Sequence, residues 1–327
     1  MSFNSGTFLF YFVCSTTSPL FTSFRTAVCT SKIQLLSISQ TIIIKRTLCQ
    51  TESCTRAGAA SIYRKEKGIY DQGCVFDIDG TLVSFKTHVV ANSTVEAIHQ
   101  LRTKGIKVFI ATGRQLQCID NLGNLEVDGY VTLNGGYCIA GKDEVIYKQA
   151  IPKEDIHSML EYQQTVHTFP CACVTEDAIV LNYRNESVDA LYEQIRLKAP
   201  EIGPIETLAD KEIFQLIAFF TAEEEEQIMA SMPNSLAARW SPYFADVVAK
   251  GCTKAVGIDR IIEHYGIALE ETMAFGDGGN DIAMLQHVGI GVAMGNAMDD
   301  VKASADFVTT SVDEDGVVVA LRHFGLI

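Results

Sequence analysis

From residue 70 onward one unit recurs along the chain. A short apolar run is followed by a turn rich in glycine or acid, and then by a stretch of helical period. Cys74-Val-Phe-Asp-Ile78 reads as a strand, with Gly80 and Thr81 as its turn. Val95, Ile98 and Leu101 then fall at helical spacing, in a segment that Asn92 or Ser93 can cap and that ends near Gly105. Ile106–Ala111 is the next strand, followed by Thr112-Gly113-Arg114 and a further helical stretch, and Gly129–Leu133 is the third. Strands alternating with helices predict βαβ units joined by right-handed crossovers. The expected fold class is therefore α/β, a Rossmann-like three-layer core with a mostly parallel sheet.

Between about 152 and 243 the rhythm changes. Pro152 opens a helical stretch over Asp155–Val166, followed by a strand at Ala178–Tyr183, a helix at Val188–Leu197 and a strand at Phe214–Phe220. The acidic run Glu223–Glu226 begins a helix, because acids suit the positive end of its dipole. This stretch reads as a self-contained α+β insert. The first rhythm returns after residue 250, with a helix at Lys254–Tyr265, a strand at Thr272–Phe275, a helix at Asp281–His287, and strands at Ile290–Ala293 and Ala305–Val308. The core is thus expected in two parts, 68–151 and 244–327, around an insert at 152–243.

The chain has 327 residues, 47% hydrophobic and 20% charged, a balance normal for a soluble globular protein of one large domain or two ordinary ones. No run approaches the roughly 18 consecutive apolar residues of a membrane span. A formal charge of −14 argues against nucleic acid or an anionic membrane as partner. That charge is uneven: residues 1–66 carry seven Lys or Arg against Glu52 and Glu66, a net +5, which leaves −19 for the rest. This Ser- and Thr-rich, acid-poor segment fits an organellar transit peptide, a translation start placed too far upstream, or plain disorder. It fits a secretory signal less well, and residues 1–67 stand apart from the fold. Cys171 and Cys173 form the close cysteine pair after residue 70, and no second pair or His cluster completes a zinc site. Reduced thiols and a cytoplasmic location are expected, or an organellar one if the first segment is a transit peptide.

Two carboxylates, Asp77 and Asp79, end the first apolar strand, and an isolated buried carboxylate is costly unless something pairs with it. Further loops stand at the carboxyl ends of predicted parallel strands, at Thr112-Gly113-Arg114 and at Gly276-Asp277-Gly-Gly-Asn280-Asp281. In open α/β sheets that edge is where ligands bind. In this order the motifs resemble those of the haloacid dehalogenase-like (HAD) superfamily of phosphatases. The match lies in Asp77-x-Asp79-Gly-Thr81-Leu-Val, in Ile110-Ala-Thr112-Gly-Arg114, in a lysine, and in Gly276-Asp277-x-x-Asn280-Asp281. An insert between the second and third motifs, together with Thr132-Leu-Asn134-Gly135 and Ala274–Leu285, resembles the Cof-type hydrolases of subclass IIB, which carry the larger (C2-type) α+β cap. The resemblance covers about residues 70–327.

The resemblance implies a phosphoric monoester hydrolase acting on small phosphorylated metabolites, sugar phosphates foremost. A phosphomonoester is a dianion that several carboxylates would repel, and a hard, oxygen-seeking Mg²⁺ resolves the conflict. Asp77 and Asp277 side chains and the Asp79 backbone carbonyl are the implied ligands. Asp77 is the implied nucleophile, forming an aspartyl-phosphate, and Asp79 the implied acid and base. Thr112, Gly113, Asn280 and a lysine would bind the phosphoryl group. The family pattern selects Lys254 over Lys250 for the lysine, and Asp281 would orient it. Arg114 reads equally as an ion-pair residue or a substrate contact, Trp240 as packing, and His88, His157 and His287 as surface residues. A phosphomutase of the same fold is the alternative, but the basic residues of the insert are scattered. A dehalogenase has no use for Asp79, and an idle homologue would lack one of the acids.

Overall fold

The computed structural model describes residues 73–195 and 197–327. Expectations placed on residues 1–67, on Arg196 and on the Trp240 side chain lie outside the described residues. The chain begins with β1 (Gly73–Phe76), α1 (Asn92–Thr103), β2 (Lys107–Ala111), β3 (Gly129–Thr132), β4 (Tyr137–Ala140) and β5 (Glu144–Lys148). It continues through α2 (Lys153–Thr165), β6 (Cys171–Val174), β7 (Ile179–Leu181), α3 (Glu186–Gln194), β8 (Glu201–Ile202), β9 (Gln215–Ala218), α4 (Ala222–Met229), β10 (Ser235–Ser241) and β11 (Phe244–Ala249). The last part holds α5 (Lys254–Tyr265), β12 (Thr272–Gly276), α6 (Ile282–His287), β13 (Ile290–Ala293), α7 (Asp299–Ser304), β14 (Phe307–Val308) and α8 (Gly316–His323).

The strands form two sheets. The first is eight-stranded, in the order β14-β13-β12-β1-β2-β3-β4-β5. It is parallel from β14 to β3 and antiparallel across the β3–β4 and β4–β5 pairs. β1 lies between β2 and β12, so both flanking loops reach the end of the strand that carries Asp77. Side-chain alternation sends Cys74, Phe76, Ile110 and Phe275 to one face, packed with α1 and α8. Val75, Phe109, Ala111 and Ala274 go to the other face, packed with α5, α6 and α7. A parallel sheet buried on both faces reads as continuous apolar runs, which is why these strands were visible in the sequence. Phe76 and Phe275 stack across β1 and β12 with ring centroids 4.7 Å apart.

The second sheet is six-stranded, in the order β10-β11-β9-β6-β7-β8. It lies between two halves of the first sheet in the chain. α2 and α4 cover one face, over Cys171, Cys173, Leu216 and Val247. α3 covers part of the other, over Ala172, Leu181 and Phe244. Because β11 pairs with β9 and β10, this sheet runs on to Ala249, past the boundary expected at 243.

Other details differ from expectation. The stretch after Arg114 forms one 3-10 turn at Leu116–Cys118, not an α-helix. Its polar side chains are drawn into tertiary contacts instead, with the Gln115 amide donating to Thr175 O and the Gln117 amide to Glu176 O. The position before α1 is Ala91 and makes no side-chain cap; Ser93 Oγ donates to Asp315. The β4–β5 hairpin and strands β6, β10 and β11 were not anticipated. The Phe275 ring is fully buried, so Phe275→Ala is expected to cost about 3–5 kcal/mol of stability. Denaturant unfolding measures this, and a loss below about 1 kcal/mol would show that the β1–β12 seam is not packed as described.

Candidate active site

The first sheet holds its functional residues one step beyond the strand ends. Asp77 N–H still donates to Phe275 O across the β1–β12 seam at 3.0 Å, and Thr112 N–H to Val131 O at 2.8 Å. Each side chain therefore leaves from backbone fixed in the ladder. After Asp77 the chain curls tightly, and the N–H groups of Thr81, Leu82 and Val83 all donate to Ile78 O. Gly80 makes the curl with φ +88°, and a Cβ there would stand 2.1 Å from Asp277 Oδ2. A glycine is needed on both counts.

Lys254 opens α5, whose first turn is capped by the Thr253 hydroxyl accepting from Val256 N–H. Its side chain is fully buried and its ammonium donates to Asp77 Oδ1 and Asp281 Oδ1, each at 2.6 Å. Burial alone would lower the ammonium pKa, but Asp281 and Asp77 more than offset this and raise it, so Lys254 stays charged. Lys250 stands exposed on the preceding turn, so of the two lysines it is Lys254 that meets the acids.

Asp281 is wholly buried, and its Oδ2 accepts from the N–H groups of Asp277 and Gly278, both at 2.9 Å. It thereby fixes the loop that presents Asp277. The Asp277 carboxylate accepts from Thr81 Oγ1 at 3.0 Å and from Asn296 Nδ2 at 3.1 Å. Burial pushes the Asp77 carboxyl well above its usual range; Lys254 opposes this, while Asp281 and Asp277 add to it. Burial, then repulsion from Asp281, pushes Asp277 up to about 7.

Asp77, Asp277 and Asp281 each bring a carboxylate oxygen within 4.8 Å of the others. Anions this crowded and desolvated are unfavourable unless a cation joins them. The donor set is all oxygen, which fits Mg²⁺. Asp281 spends one oxygen on Lys254 and the other on backbone N–H groups, so Asp77 and Asp277 are the two side chains that would hold an ion.

Asp79 is engaged differently. Arg114 Nε and Nη2 each donate to one of its carboxylate oxygens at 2.7 Å, a bidentate pair. Arg114 is therefore an ion-pair partner of Asp79. Thr112 is buried, and its hydroxyl accepts from Arg114 N–H at 3.1 Å. Asn280 Nδ2 donates to Asn134 Oδ1 at 2.9 Å. Asn134 Nδ2 in turn lies 3.1 Å from Asp246 Oδ2 and 3.2 Å from Gln215 Oε1, both on the second sheet. His88 is half-buried just after the Phe85–Thr87 turn, His157 is exposed and His287 pairs with Asp259.

Asp77, Asp79, Thr112, Gly113, Asp277 and Asn280 all border one cleft of about 780 Å³. Its opposite wall comes from the second sheet and α3, including Ile217, Tyr192 and Phe244. Lys254 and Asp281 support it from beneath. Three participants escaped the sequence reading: Asn296, Gln215 and Asp246. Asp246 sits in the apolar run Phe244-Ala-Asp-Val-Val-Ala249, the same kind of signal that singled out Asp77. Asn296 follows a predicted strand directly after Gly295, and that position was its signal.

Among the described residues no helix is long and apolar enough to cross a membrane. Residues 74–321 match the profile of the haloacid dehalogenase-like hydrolases. The HAD subclass IIB sugar phosphatase BT4131 superposes with a TM-score of 0.75 at 49% identity, over 78% of this chain and 100% of that one. The phosphatase BT1666 from Bacteroides thetaiotaomicron gives a TM-score of 0.74 at 36% identity, over 85% of this chain and 100% of that one. The Bacillus subtilis (strain 168) 5-amino-6-(5-phospho-D-ribitylamino)uracil phosphatase YcsE is 29% identical, over 76% of this chain and 94% of its own. On motif order, core topology and these relatives, the chain belongs to the haloacid dehalogenase-like hydrolases, among their phosphatases.

Proposed function

We propose that this chain hydrolyses small phosphorylated metabolites, sugar phosphates foremost, by way of an aspartyl-phosphate, with Mg²⁺ held by the Asp77 and Asp277 side chains and the Asp79 carbonyl. The observation that carries this reading is the convergence of Asp77 and Asp277 on one point beside Lys254, in a cleft that also contains Thr112. The ion, when bound, would offset the charge between the acids and the dianionic ester and polarise a phosphate oxygen.

Asp77 acts as nucleophile. Lys254 holds Oδ1, which leaves Oδ2 to attack phosphorus as the bond to the leaving oxygen breaks. Asp79 gives that oxygen its proton. In the second step water attacks phosphorus, its proton passes to Asp79, and the Asp77 carboxylate departs. Both Asp79 oxygens accept from Arg114 in the resting geometry, and Asp79 gives and takes a proton in turn. To give one, Asp79 must first part from Arg114. Thr112 Oγ1 accepts from Arg114 N–H, so its own O–H can donate to the phosphoryl group, together with the Gly113 N–H and the Asn280 amide. The inserted unit serves as a cap that shields the reaction from water.

Two supports narrow the substrate. The names of BT4131 and YcsE carry a sugar and a phosphorylated ribityl chain. Among the described residues the basic groups bordering the cleft are Arg114, engaged with Asp79, and Lys198. A mutase needs several to hold a second phosphate, so hydrolysis is favoured over phosphoryl transfer between two positions of one substrate.

Phosphate release from a panel of esters is expected to need both Mg²⁺ and Asp77. Asp77→Asn should lower kcat by at least about a thousandfold, and full activity of that variant in chelator would overturn the mechanism. Lys254→Met strands Asp77 and Asp281 in a buried site. It should cost about 3–5 kcal/mol in denaturant unfolding as well as activity. Gly80→Ala is expected to displace Asp277 and weaken Mg²⁺ binding, read by titration calorimetry; unchanged affinity would place the ion elsewhere.

A further inference from the structure

On β9 and β11, the cap strands that border the cleft, two polar side chains stand among apolar ones. Strand alternation sends Gln215 and Ile217 of β9, and Phe244 and Asp246 of β11, to this side, while Leu216, Ala218, Ala245 and Val247 face α2 and α4. Leu191 and Tyr192 of α3 extend the apolar wall. Gln215 and Asp246 are only 2% and 4% exposed, so their polar atoms are directed, not solvated. Gln215 Nε2 donates to Asp246 Oδ1 at 3.0 Å and lies 3.3 Å from Gly113 O. Asp246 Oδ2 accepts from Asn134 Nδ2, and a Cβ on Gly113 would stand 3.2 Å from it. A cap carboxylate thus lies against the phosphate-binding loop, one step from Thr112.

A carboxylate is a poor neighbour for a second anion and a good acceptor for hydroxyls, with room for about four donors. The electrostatic setting points the same way. Asp77, Asp79, Asp120, Asp177, Asp246 and Asp277 border the cleft, against Arg114, which is committed to Asp79, and Lys198, which is exposed at the rim.

Resting on the phosphatase reading, we infer that Asp246, positioned by Gln215 and Asn134, is the specificity-determining residue of the cleft. Its carboxylate accepts hydrogen bonds from hydroxyls of an uncharged polyol leaving group and turns away esters whose leaving group carries a second anion. The apolar wall of Ile217, Tyr192 and Phe244 receives the carbon skeleton.

The test uses the full chain with Mg²⁺ and three esters: glucitol 6-phosphate, 6-phosphogluconate and p-nitrophenyl phosphate. The first two differ by a carboxylate in place of one hydroxymethyl group, and the third has a leaving group without hydroxyls. The wild type is expected to prefer glucitol 6-phosphate over 6-phosphogluconate in kcat/KM, and Asp246→Asn to shrink that preference at least tenfold. Gln215→Met keeps the charge but loses the amide. It should lower kcat/KM for both six-carbon esters at least tenfold relative to p-nitrophenyl phosphate, while the preference between them persists. It also decides the matter if Asp246→Asn does not fold. A preference identical in wild type and Asp246→Asn, or variants that change all three esters in parallel, overturns the inference and makes the network a structural brace. Hydrolysis of p-nitrophenyl phosphate with no wild-type preference between the other two sinks the inference alone. Failure to release phosphate from any of the three removes the phosphatase reading and the inference with it.

Discussion

Everything in the core is arranged around one ammonium group kept out of water between two carboxylates. Lys254 cannot be desolvated alone, and neither can Asp77 or Asp281. Each is tolerable only because the others lie within hydrogen-bond reach. The three come from the end of β1, the start of α5 and the loop after β12. The requirement that they meet fixes the order of the central strands and the landing point of the helix. The triad still leaves more negative than positive charge, with Asp277 close by, and that surplus invites a divalent ion.

Much of this was legible in the chain before any coordinates. Asp77, Thr112 and Asp277 each interrupt or end an apolar run, and a parallel sheet buried on both faces makes such runs continuous and easy to see. The choice between Lys250 and Lys254 was also local, since Lys254 opens a capped helix. Pairings across the fold were not local. Arg114 finds Asp79 35 residues away, and nothing in either neighbourhood announces it. β6, β10 and β11 are not legible in the sequence because strands in a sheet with different partners on each face carry no strong period. The residues after Arg114 have helical composition but spend their side chains on the insert, so tertiary contacts override propensity. Asp246 carried a signal as plain as that of Asp77, but it lies inside a strand and not at its end, where a ligand site was sought.

The insert divides its labour between two faces. α2 and α4 bury one side of its sheet and make it a stable body, while the other side is shared between α3 and the cleft. Side chains on α3 and on alternate positions of β9 and β11 can therefore change without touching Asp77, Asp277 or Asp281. This is a physical route by which one reaction centre serves many leaving groups.

The discontinuity of the core has a bearing on biosynthesis. β1 must await β12 as its neighbour, and Thr81 meets Asp277, which lies 196 positions further along the chain. While the ribosome is still making the later half, Asp77 has no lysine against it and no second acid beside it. A nascent or truncated polypeptide therefore has no assembled cluster, because the acids and the lysine meet only once the loop after β12 has joined the sheet.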